Sequence, residues 1–300
     1  MQGAGNDFVV LDWAQLPAAL QSESALGIIA PHLCDRHFGI GSDGVVVIAP
    51  PTDPAQHALR FLFLNVDGSQ AEMCGNGIRC FAHYARLHGL VSTSQFAVQT
   101  ARGTLVPNVV TLNGDSAHVT VDMGPPILTP ATIPFAAQYA CDLDTHTDGT
   151  VISATLRYGL PKENTERTVS VTPVSMGNPH AVVRNDKASH SIDPVVDGPV
   201  LEVHPAFPAK VNVGFTDVTG PQALSLVVWE RGCGLTLACG TGACAAAVAG
   251  IQNGWVQSPV TVTLPGGALT IAWSGNPTES VWMTGPSQVV FSGTIEVPWP

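Results

Sequence analysis

Residues 239–253 read CGTGACAAAVAGIQN, and almost every side chain in this run is small or apolar. A helix without a continuous polar face is typically buried on all sides. The run therefore predicts a helix over residues 240–253 that is enclosed by other elements. Strand signals dominate the rest of the chain, so we expect the enclosing element to be a β-sheet.

A second copy of this pattern occurs 165 residues earlier, where residues 74–77 read CGNG and open a predicted helix over residues 75–88. A weaker echo places Gly5-Asn6 beside Gly177-Asn178, each ahead of an apolar strand. Such self-similarity indicates an internal duplication. The constant offset pairs six positions with identical residues: Cys74 with Cys239, Gly75 with Gly240, Gly77 with Gly242, Ala82 with Ala247, Gly89 with Gly254, and Val91 with Val256.

The predicted strands are short, rich in β-branched residues and bounded by turn residues. They cover residues 8–11, 45–48, 59–65, 118–123, 169–176, 224–229 and 260–264, and a last strand at 289–297 is predicted to return to the first domain. A third helix is predicted over residues 22–38. The fold class is α/β (α+β): two pseudo-symmetric domains, each a mainly antiparallel sheet wrapped around a central helix, with the active site in the cleft between them. Residues 1–123 with 286–300 form the domain of Cys74, and residues 124–285 form that of Cys239.

Composition and charge exclude several classes of function. The 300 residues are 45% hydrophobic and 12% charged, with 30 Gly and 24 Pro, which is too apolar for disorder and too turn-rich for a helical bundle. A net charge of −11 disfavours nucleic acid and anionic lipid as partners. No signal peptide or membrane-spanning run is recognisable, and seven cysteines fit reduced thiols in a cytoplasm.

The duplicated cysteines carry the chemical argument. Each directly precedes a Gly-x-Gly that opens a helix, where unpaired backbone N–H groups and the helix dipole stabilise a thiolate. The same amides bind a carboxylate or phosphate. One such motif is more simply a set of small buried residues at a helix start. Two motifs at matching positions favour a pair of thiols around one anion.

Other chemistries fit the motifs less well. Residues 39–44 read GIGSDG but precede a strand, the wrong context for dinucleotide binding. Residues 240–245 lack a following acidic residue to hold a ribose. No closely spaced Cys or His pairs indicate a metal, so neither a metal nor a cofactor is predicted. A redox-responsive protein that uses Cys74 and Cys239 as a switch stays open, because two activated thiols can form a disulfide.

Two equivalent thiols suit the inversion of a carbon centre, since one thiolate removes a proton from one face and one thiol protonates the other. The weakly acidic α-hydrogen of an amino acid would need its carbanion-like transition state stabilised, and helix N-termini acting on the carboxylate supply that. His180 is expected either to act beside a cysteine or to cap a turn. Polar residues in apolar, glycine-framed contexts are the candidate binding residues: Asn6, Asn65, Asn76, Asn178, Asn212, Glu230, Arg231 and Thr241.

These motifs together resemble the diaminopimelate epimerase family over nearly the whole chain. The resemblance rests on residues 5–8 (GNDF), 65–69 (NVDGS), 73–77 (MCGNG), 176–180 (MGNPH), 211–214 (VNVG), 230–232 (ERG) and 238–242 (ACGTG). It implies a cofactor-independent epimerase that interconverts LL- and meso-diaminopimelate in lysine biosynthesis, with Cys74 and Cys239 as acid/base residues. The family's substrate contacts fall on Asn6, Asn65, Asn178, Asn212, Glu230 and Arg231, and its helix-end contacts on Gly75-Asn76 and Gly240-Thr241. Many members dimerise, so a homodimer is an open prediction.

This chain departs from the family pattern in four places. Its first strand is expected to be short, Gly44 stands where some members carry Gln, and Leu235 stands where many carry Glu. Residues 154–167 are expected to form an enlarged surface hairpin or loop. The alternative function is a related two-cysteine racemase of proline or hydroxyproline, which would leave the charges of Glu230 and Arg231 unused.

Overall fold

The computed structural model describes residues 1–71, 73–160, 166–185, 188 and 190–296. The chain divides into two compact units. Unit 1 comprises residues 1–122 and 284–300, and unit 2 comprises residues 123–283. No helix of the described residues is long and apolar enough to cross a membrane.

The described residues form strands β1 to β19 and helices α1 to α4. The helices are α1 (Glu23–Cys34), α2 (Gly75–Leu87), α3 (Pro194–Glu202) and α4 (Gly240–Gln252). The first nine strands are β1 (Gln2–Gly3), β2 (Asn6–Asp7), β3 (Val9–Asp12), β4 (Val45–Ala49), β5 (Leu59–Leu64), β6 (Val98–Thr100), β7 (Gly103–Leu105), β8 (Asn108–Asn113) and β9 (Ser116–Asp122). The others are β10 (Ala140–Thr145), β11 (Val151–Gly159), β12 (Glu166–Ser175), β13 (Pro179–Arg184), β14 (Asn212–Gly220), β15 (Ala223–Glu230), β16 (Gly234–Thr236), β17 (Val260–Leu264), β18 (Gly267–Ala272) and β19 (Trp282–Gln288).

Unit 1 is built on a five-stranded sheet in the order β3-β4-β5-β6-β7. The pairings alternate along it: β3 with β4 parallel, β4 with β5 antiparallel, β5 with β6 parallel, and β6 with β7 antiparallel. The continuous apolar sequence of β4 explains its central place, because all five of its residues are buried. Helix α2 follows β5 and packs against β4 and β9.

Unit 2 repeats this plan in the order β13-β14-β15-β17-β18. Its pairings are again parallel, antiparallel, parallel and antiparallel. Helix α1 connects the first two strands of the plan in unit 1, and α3 does so in unit 2. The described pairings outside these two plans are antiparallel. Two units built on one repeated plan of strands and helices confirm the predicted fold class of two pseudo-symmetric α/β domains.

Helices α2 and α4 are buried as their sequences predict. Every residue of α4 from Gly242 to Gly250 is buried, and α2 is buried over nearly its whole length. Small residues permit this enclosure, because a Cβ on Gly250 would lie 2.7 Å from a methyl carbon of Val256. The two helices are therefore held rigidly, and so are the residues at their N-termini.

Two predictions about element bounds are wrong. Helix α1 ends at Cys34 instead of residue 38, because Oδ1 of Asp35 accepts hydrogen bonds from the amides of His37 and Phe38 and starts a turn. Residues 289–296 form no strand. The last strand is instead β19, whose Gln288 pairs with Gln2 of β1. Strands β11 and β12 form the predicted hairpin around residues 154–167, but its residues 161–165 lie outside the described part.

Candidate active site

Cys74 is the N-cap residue of α2. Its backbone is extended (φ −139°, ψ 111°), and its Sγ accepts a hydrogen bond from the amide of Gly77 at 3.4 Å. The side chain is partly exposed. A sulfur atom therefore takes the place that a Ser or Asp oxygen occupies in an ordinary N-cap, and the unpaired amides of the first turn lie beside it.

Cys239 has the same position at α4. Its backbone angles are φ −122° and ψ 107°, and its Sγ lies 3.6 Å from Oγ1 of Thr241. The residue is buried, with 5% of its surface exposed. The glycine three residues on is close in both units: a Cβ on Gly77 would lie 3.5 Å from Cys74 Sγ, and one on Gly242 would lie 3.2 Å from Cys239 Sγ. The duplication seen in the sequence therefore places a thiol at the N-cap of a buried helix in each unit, with a side-chain capping hydrogen bond at Cys74.

The charges around the two thiols differ. Burial raises the pKa of Cys74 to about 11, although the amides of Gly77 and Asn76 and the cation of Arg79 act in the opposite direction. Burial also raises the pKa of Cys239, and the carboxylate of Glu230 raises it further against the hydroxyl of Thr241. A positive side chain thus favours the thiolate of Cys74, whereas a negative one disfavours that of Cys239.

Asn6 and Asn76 are brought together in unit 1. Nδ2 of Asn76, in the first turn of α2, donates to Oδ1 of Asn6 at 3.1 Å. Gly5 and Gly177, which precede Asn6 and Asn178, have φ angles of 86° and 95°, a conformation that favours glycine. The weaker Gly-Asn echo in the sequence therefore corresponds to one backbone feature that occurs twice.

Asn65 lies in a turn and forms hydrogen bonds with residues of that turn. Its Nδ2 donates to Oγ of Ser69 at 3.0 Å, and its backbone carbonyl accepts from Gly68 in the same turn. Asn65 follows directly after β5, whereas the sequence predicts it as the last residue of that strand. Gly44 has no room for a side chain, because a Cβ there would lie 2.8 Å from both the Leu64 carbonyl oxygen and the Phe63 ring.

In unit 2, Asn212 orders the turn that carries Arg231. Oδ1 of Asn212 accepts from the backbone amide of Arg231 at 2.9 Å, and its Nδ2 donates to the carbonyl of Pro179 at 3.1 Å. The Arg231 side chain is exposed and donates to the carbonyl of Ala209 at 2.8 Å. Asn212 therefore fixes the backbone at Arg231, while the guanidinium of Arg231 lies at the surface.

Glu230 ends β15 and is held by Thr236, whose Oγ1 donates to the Glu230 Oε1 at 2.6 Å. Thr236 belongs to the short strand β16, where Leu235 pairs with Trp229. Glu230, Arg231 and Asn212 therefore form one group at the end of β15.

Asn178 and His180 form a further pair, with Nε2 of His180 and Oδ1 of Asn178 3.1 Å apart. His180 is 1% exposed. Its burial, with a smaller effect from the positive charge of Arg231, lowers the pKa of its imidazole to about 3. His180 is therefore neutral near pH 7 and suits an orienting role better than that of a proton donor.

Sequence reasoning missed three groups of residues. Asp43 accepts a hydrogen bond from Asn6 and is itself bonded to Arg36. Arg79 lies fully buried in α2 with Nη1 on the Gly75 carbonyl at 3.1 Å, and Glu202 accepts from the backbone amide of Gly232, next to Arg231. The sequence signal that could have identified these residues was the low number of charged side chains in the chain, since buried charged side chains need partners. No group of three His, Cys, Asp or Glu side chains in the described residues is placed to hold a metal ion.

Solved structures of other proteins share this fold. A probable proline racemase from Agrobacterium radiobacter K84 aligns with a TM-score of 0.59 at 16% identity, covering 97% of this chain and 92% of that one. A hydroxyproline epimerase from Agrobacterium vitis aligns with a TM-score of 0.58 at 16% identity, covering 96% and 86%. At this identity the likeness shows the shared fold alone.

Sequence comparison then identifies the family. The sequence model of the diaminopimelate epimerase family matches residues 1–129 and 172–290. The diaminopimelate epimerase of Cupriavidus taiwanensis is 46% identical, with 99% of this chain and 96% of that protein covered. That of Thioalkalivibrio sulfidiphilus is 43% identical, with 99% and 98% covered. The chain belongs to the diaminopimelate epimerase family, which confirms the resemblance drawn from its motifs.

Proposed function

We propose that this protein is a cofactor-independent isomerase that interconverts LL- and meso-diaminopimelate in lysine biosynthesis, with Cys74 and Cys239 as its two acid/base residues. Membership of the family supports the reaction. The single observation that carries the residue assignment is the identical placement of both thiols as N-cap residues of buried helices, one in each unit.

The reaction needs one thiolate and one thiol. The thiolate takes the α-proton from one face of the substrate, and the electron pair of the broken C–H bond remains on the α-carbon and is delocalised into the carboxylate. The thiol then delivers its proton to the opposite face, which inverts the centre. The products are the epimer and the two cysteines, of which the former thiolate is now a thiol and the former thiol is now a thiolate. The reverse reaction therefore uses the same two groups.

The helix N-termini stabilise the charge that develops on the substrate carboxylate. The backbone amides of Gly75-Asn76 and Gly240-Thr241 belong to the first turns of α2 and α4, where N–H groups lack partners within the helix. Such fixed dipoles act on a developing anion without reorganising during the reaction. Because both isomers must be accepted, an equivalent helix end in each unit suits the substrate.

The polar groups suit the second amino acid centre of diaminopimelate. Glu230 offers a carboxylate to an ammonium group, and Arg231 offers an exposed guanidinium to a carboxylate. Asn6, Asn65, Asn178 and Asn212 supply neutral hydrogen bonds. A neutral His180 orients Asn178. A monocarboxylic substrate such as proline has no group that would use Glu230 and Arg231.

We further propose a cytoplasmic enzyme, since the reaction requires two reduced thiols and none of the seven cysteines, all of which the structure describes, is in a disulfide. Its partner is a small diamino dicarboxylic acid. Oxidation is expected to abolish the activity, and dithiothreitol is expected to restore it.

The test is α-hydrogen exchange in deuterated water, followed by proton NMR on the reduced protein with LL-diaminopimelate and, separately, with proline. We expect the α-proton signal of LL-diaminopimelate to fall as the meso isomer appears. The first product should carry one solvent deuteron, while unreacted substrate keeps its proton. Unlabelled initial product would refute the two-base mechanism. Exchange with proline alone would assign the protein to the racemases, and reversible thiol oxidation without any exchange would favour the redox switch.

A further inference from the structure

Glu202 is a nearly buried carboxylate at the C-terminal end of α3, with 9% of the residue exposed. Its Oε2 accepts a hydrogen bond from the ring Nε1 of Trp229 at 2.8 Å, and its Oε1 accepts from the backbone amide of Gly232 at 3.2 Å. Nζ of Lys210 lies 3.6 Å from the same Oε1. A carboxylate removed from water needs such donors, because burying it unpaired is costly.

The two hydrogen-bond partners of Glu202 flank the charged pair of the proposed binding site. Trp229 directly precedes Glu230, and Gly232 directly follows Arg231. Gly232 has a φ of 78°, so the chain turns sharply after Arg231. One side chain from another element is therefore bonded to a residue on each side of this dipeptide, to the indole of Trp229 and to the backbone amide of Gly232.

We propose that Glu202 is a positioning residue for substrate binding, which acts by holding Glu230 and Arg231 in place for the charged groups of the substrate. This inference rests on the proposed function. Asn212 holds the Arg231 amide from the sheet, while Glu202 holds the flanking residues from α3. Charge also matters, because the Glu202 carboxylate offsets part of the positive charge of Lys210 beside the turn.

The position of Trp229 supports this view. A Cβ on Gly198 of α3 would lie 2.7 Å from the Trp229 ring, so the indole packs directly on the helix backbone. The Glu202 hydrogen bond then fixes the ring edge, and the indole connects α3 to the end of β15. A change at Glu202 is transmitted to Glu230 through this ring.

The experiment compares E202Q, W229F and the double variant E202Q/W229F with the wild type in steady-state conversion of LL- to meso-diaminopimelate. Trp229 and Gly232 donate to different oxygens of Glu202, and a Gln side chain replaces one of these oxygens with an NH2 group, so it can accept only one of the two hydrogen bonds in this geometry. We expect E202Q to raise KM about tenfold with little change in kcat, as the loss of a charge-assisted contact in ground-state binding predicts. W229F should raise KM less, and the double variant should not exceed E202Q, because both changes remove the same contact.

The matched control is E166Q, which neutralises an exposed glutamate of β12 that lies 3.6 Å from Arg157. It should leave both constants unchanged. An unchanged KM in E202Q, or in W229F should E202Q fail to fold, would overturn the proposal. A fall in kcat that tracks the loss of folded protein, with KM unchanged, would also overturn it, since that is the behaviour of a purely structural residue. A wild type that turns over no diaminopimelate would instead refute the proposed function, and this inference with it.

Discussion

Asn6 donates a hydrogen bond from its Nδ2 to Oδ2 of Asp43, 37 residues further along the chain, at 2.5 Å. The bond fixes which way the Asn6 amide points, so that Oδ1 of Asn6 is free to accept from Asn76 in the first turn of α2. Arg36 adds to the arrangement, since its guanidinium lies 2.7 Å from carboxylate oxygens of both Asp7 and Asp43. The loop before β4 thereby orients a side chain that contacts the first turn of α2.

Removing the Asp43 carboxylate should weaken substrate binding. In D43A the Asn6 amide loses its acceptor and can rotate, so the contact that we propose between Asn6 and the substrate would be retained only part of the time. Because Asp43 is partly exposed, we expect a modest effect, a rise in KM of about threefold in steady-state assays. The control is D115A, an exposed aspartate of the same unit. A KM of D43A equal to that of D115A would refute this role.

The local part of the site was predictable from the sequence, and the part that depends on distant partners was not. Cys74, Gly75 and Gly77 lie within four residues, and their chemistry follows from one helix N-terminus. Nothing in the spacing shows that Asp43 reaches Asn6, or that Glu202 reaches Gly232, because these contacts form only when separate elements pack.

The same reason explains the error at the last strand. The apolar pattern at residues 289–297 resembles a strand, but the strand forms at Trp282–Gln288, where Gln288 finds Gln2 as its partner. Gly285 and Pro286 hide this strand from a propensity argument. Strand pairing is decided by tertiary contacts, which override local preference.

The charges near the two thiols predict an order of alkylation. Iodoacetamide reacts with thiolates, and the pKa of Cys239 is raised more than that of Cys74, by burial and then by Glu230. Cys74 is also the more exposed of the two. At pH 8.5 we expect Cys74 to be modified at least about tenfold faster than Cys239, as measured by peptide mass spectrometry of the substrate-free protein. Faster modification of Cys239 would contradict this electrostatic asymmetry.

The variant E230Q tests whether the charge of Glu230 causes the slower alkylation of Cys239. Removing the negative charge lowers the pKa of Cys239, so alkylation of Cys239 should become faster while that of Cys74 stays constant. E166Q serves again as the control, because its carboxylate lies in an exposed pair with Arg157. Equal rates for Cys239 in E230Q and the wild type would show that burial alone sets its reactivity.

The buried imidazole of His180 should make the folded protein less stable in acid. Burial lowers the pKa of His180 to about 3 in the folded protein, below the value near 6.5 of an unfolded histidine. The unfolded state therefore binds the proton first as the pH falls, and this contribution to stability is full above pH 6.5 and is lost progressively towards pH 3. The linkage relation gives a loss of about 2 kcal/mol between pH 7.5 and pH 5.

Urea unfolding of H180Q and the wild type at both pH values measures that loss. Glutamine does not titrate, so the free energy of unfolding of H180Q should fall less on acidification, by about the same 2 kcal/mol. H146Q, at an exposed histidine, is the control and should follow the wild type. Parallel pH dependence in H180Q and the wild type would mean that His180 is protonated in the folded protein.

Single alanine variants of the two thiols should separate exchange from inversion. In C239A the remaining thiolate of Cys74 can still remove the α-proton that it faces, but only solvent deuterium returns, and it returns to the same face. C239A should therefore label one isomer without converting it, and C74A should label the other isomer only. C141A, at an exposed cysteine, is the control for general effects of cysteine loss.

The two alanine variants, C239A and C74A, should also differ in the pH at which they exchange the α-proton. Cys74 has the less strongly raised pKa, so C239A should exchange at lower pH than C74A, which relies on the thiolate of Cys239 beside Glu230. Mass spectrometry of LL- and meso-diaminopimelate after incubation in deuterated water at each pH measures which isomer is labelled and at which pH the exchange occurs. If either variant inverts its substrate at a near-normal rate, one thiol is dispensable and the two-base mechanism is wrong. If both label the same isomer, the thiols act on one face, and the duplicated helix ends then require a different explanation.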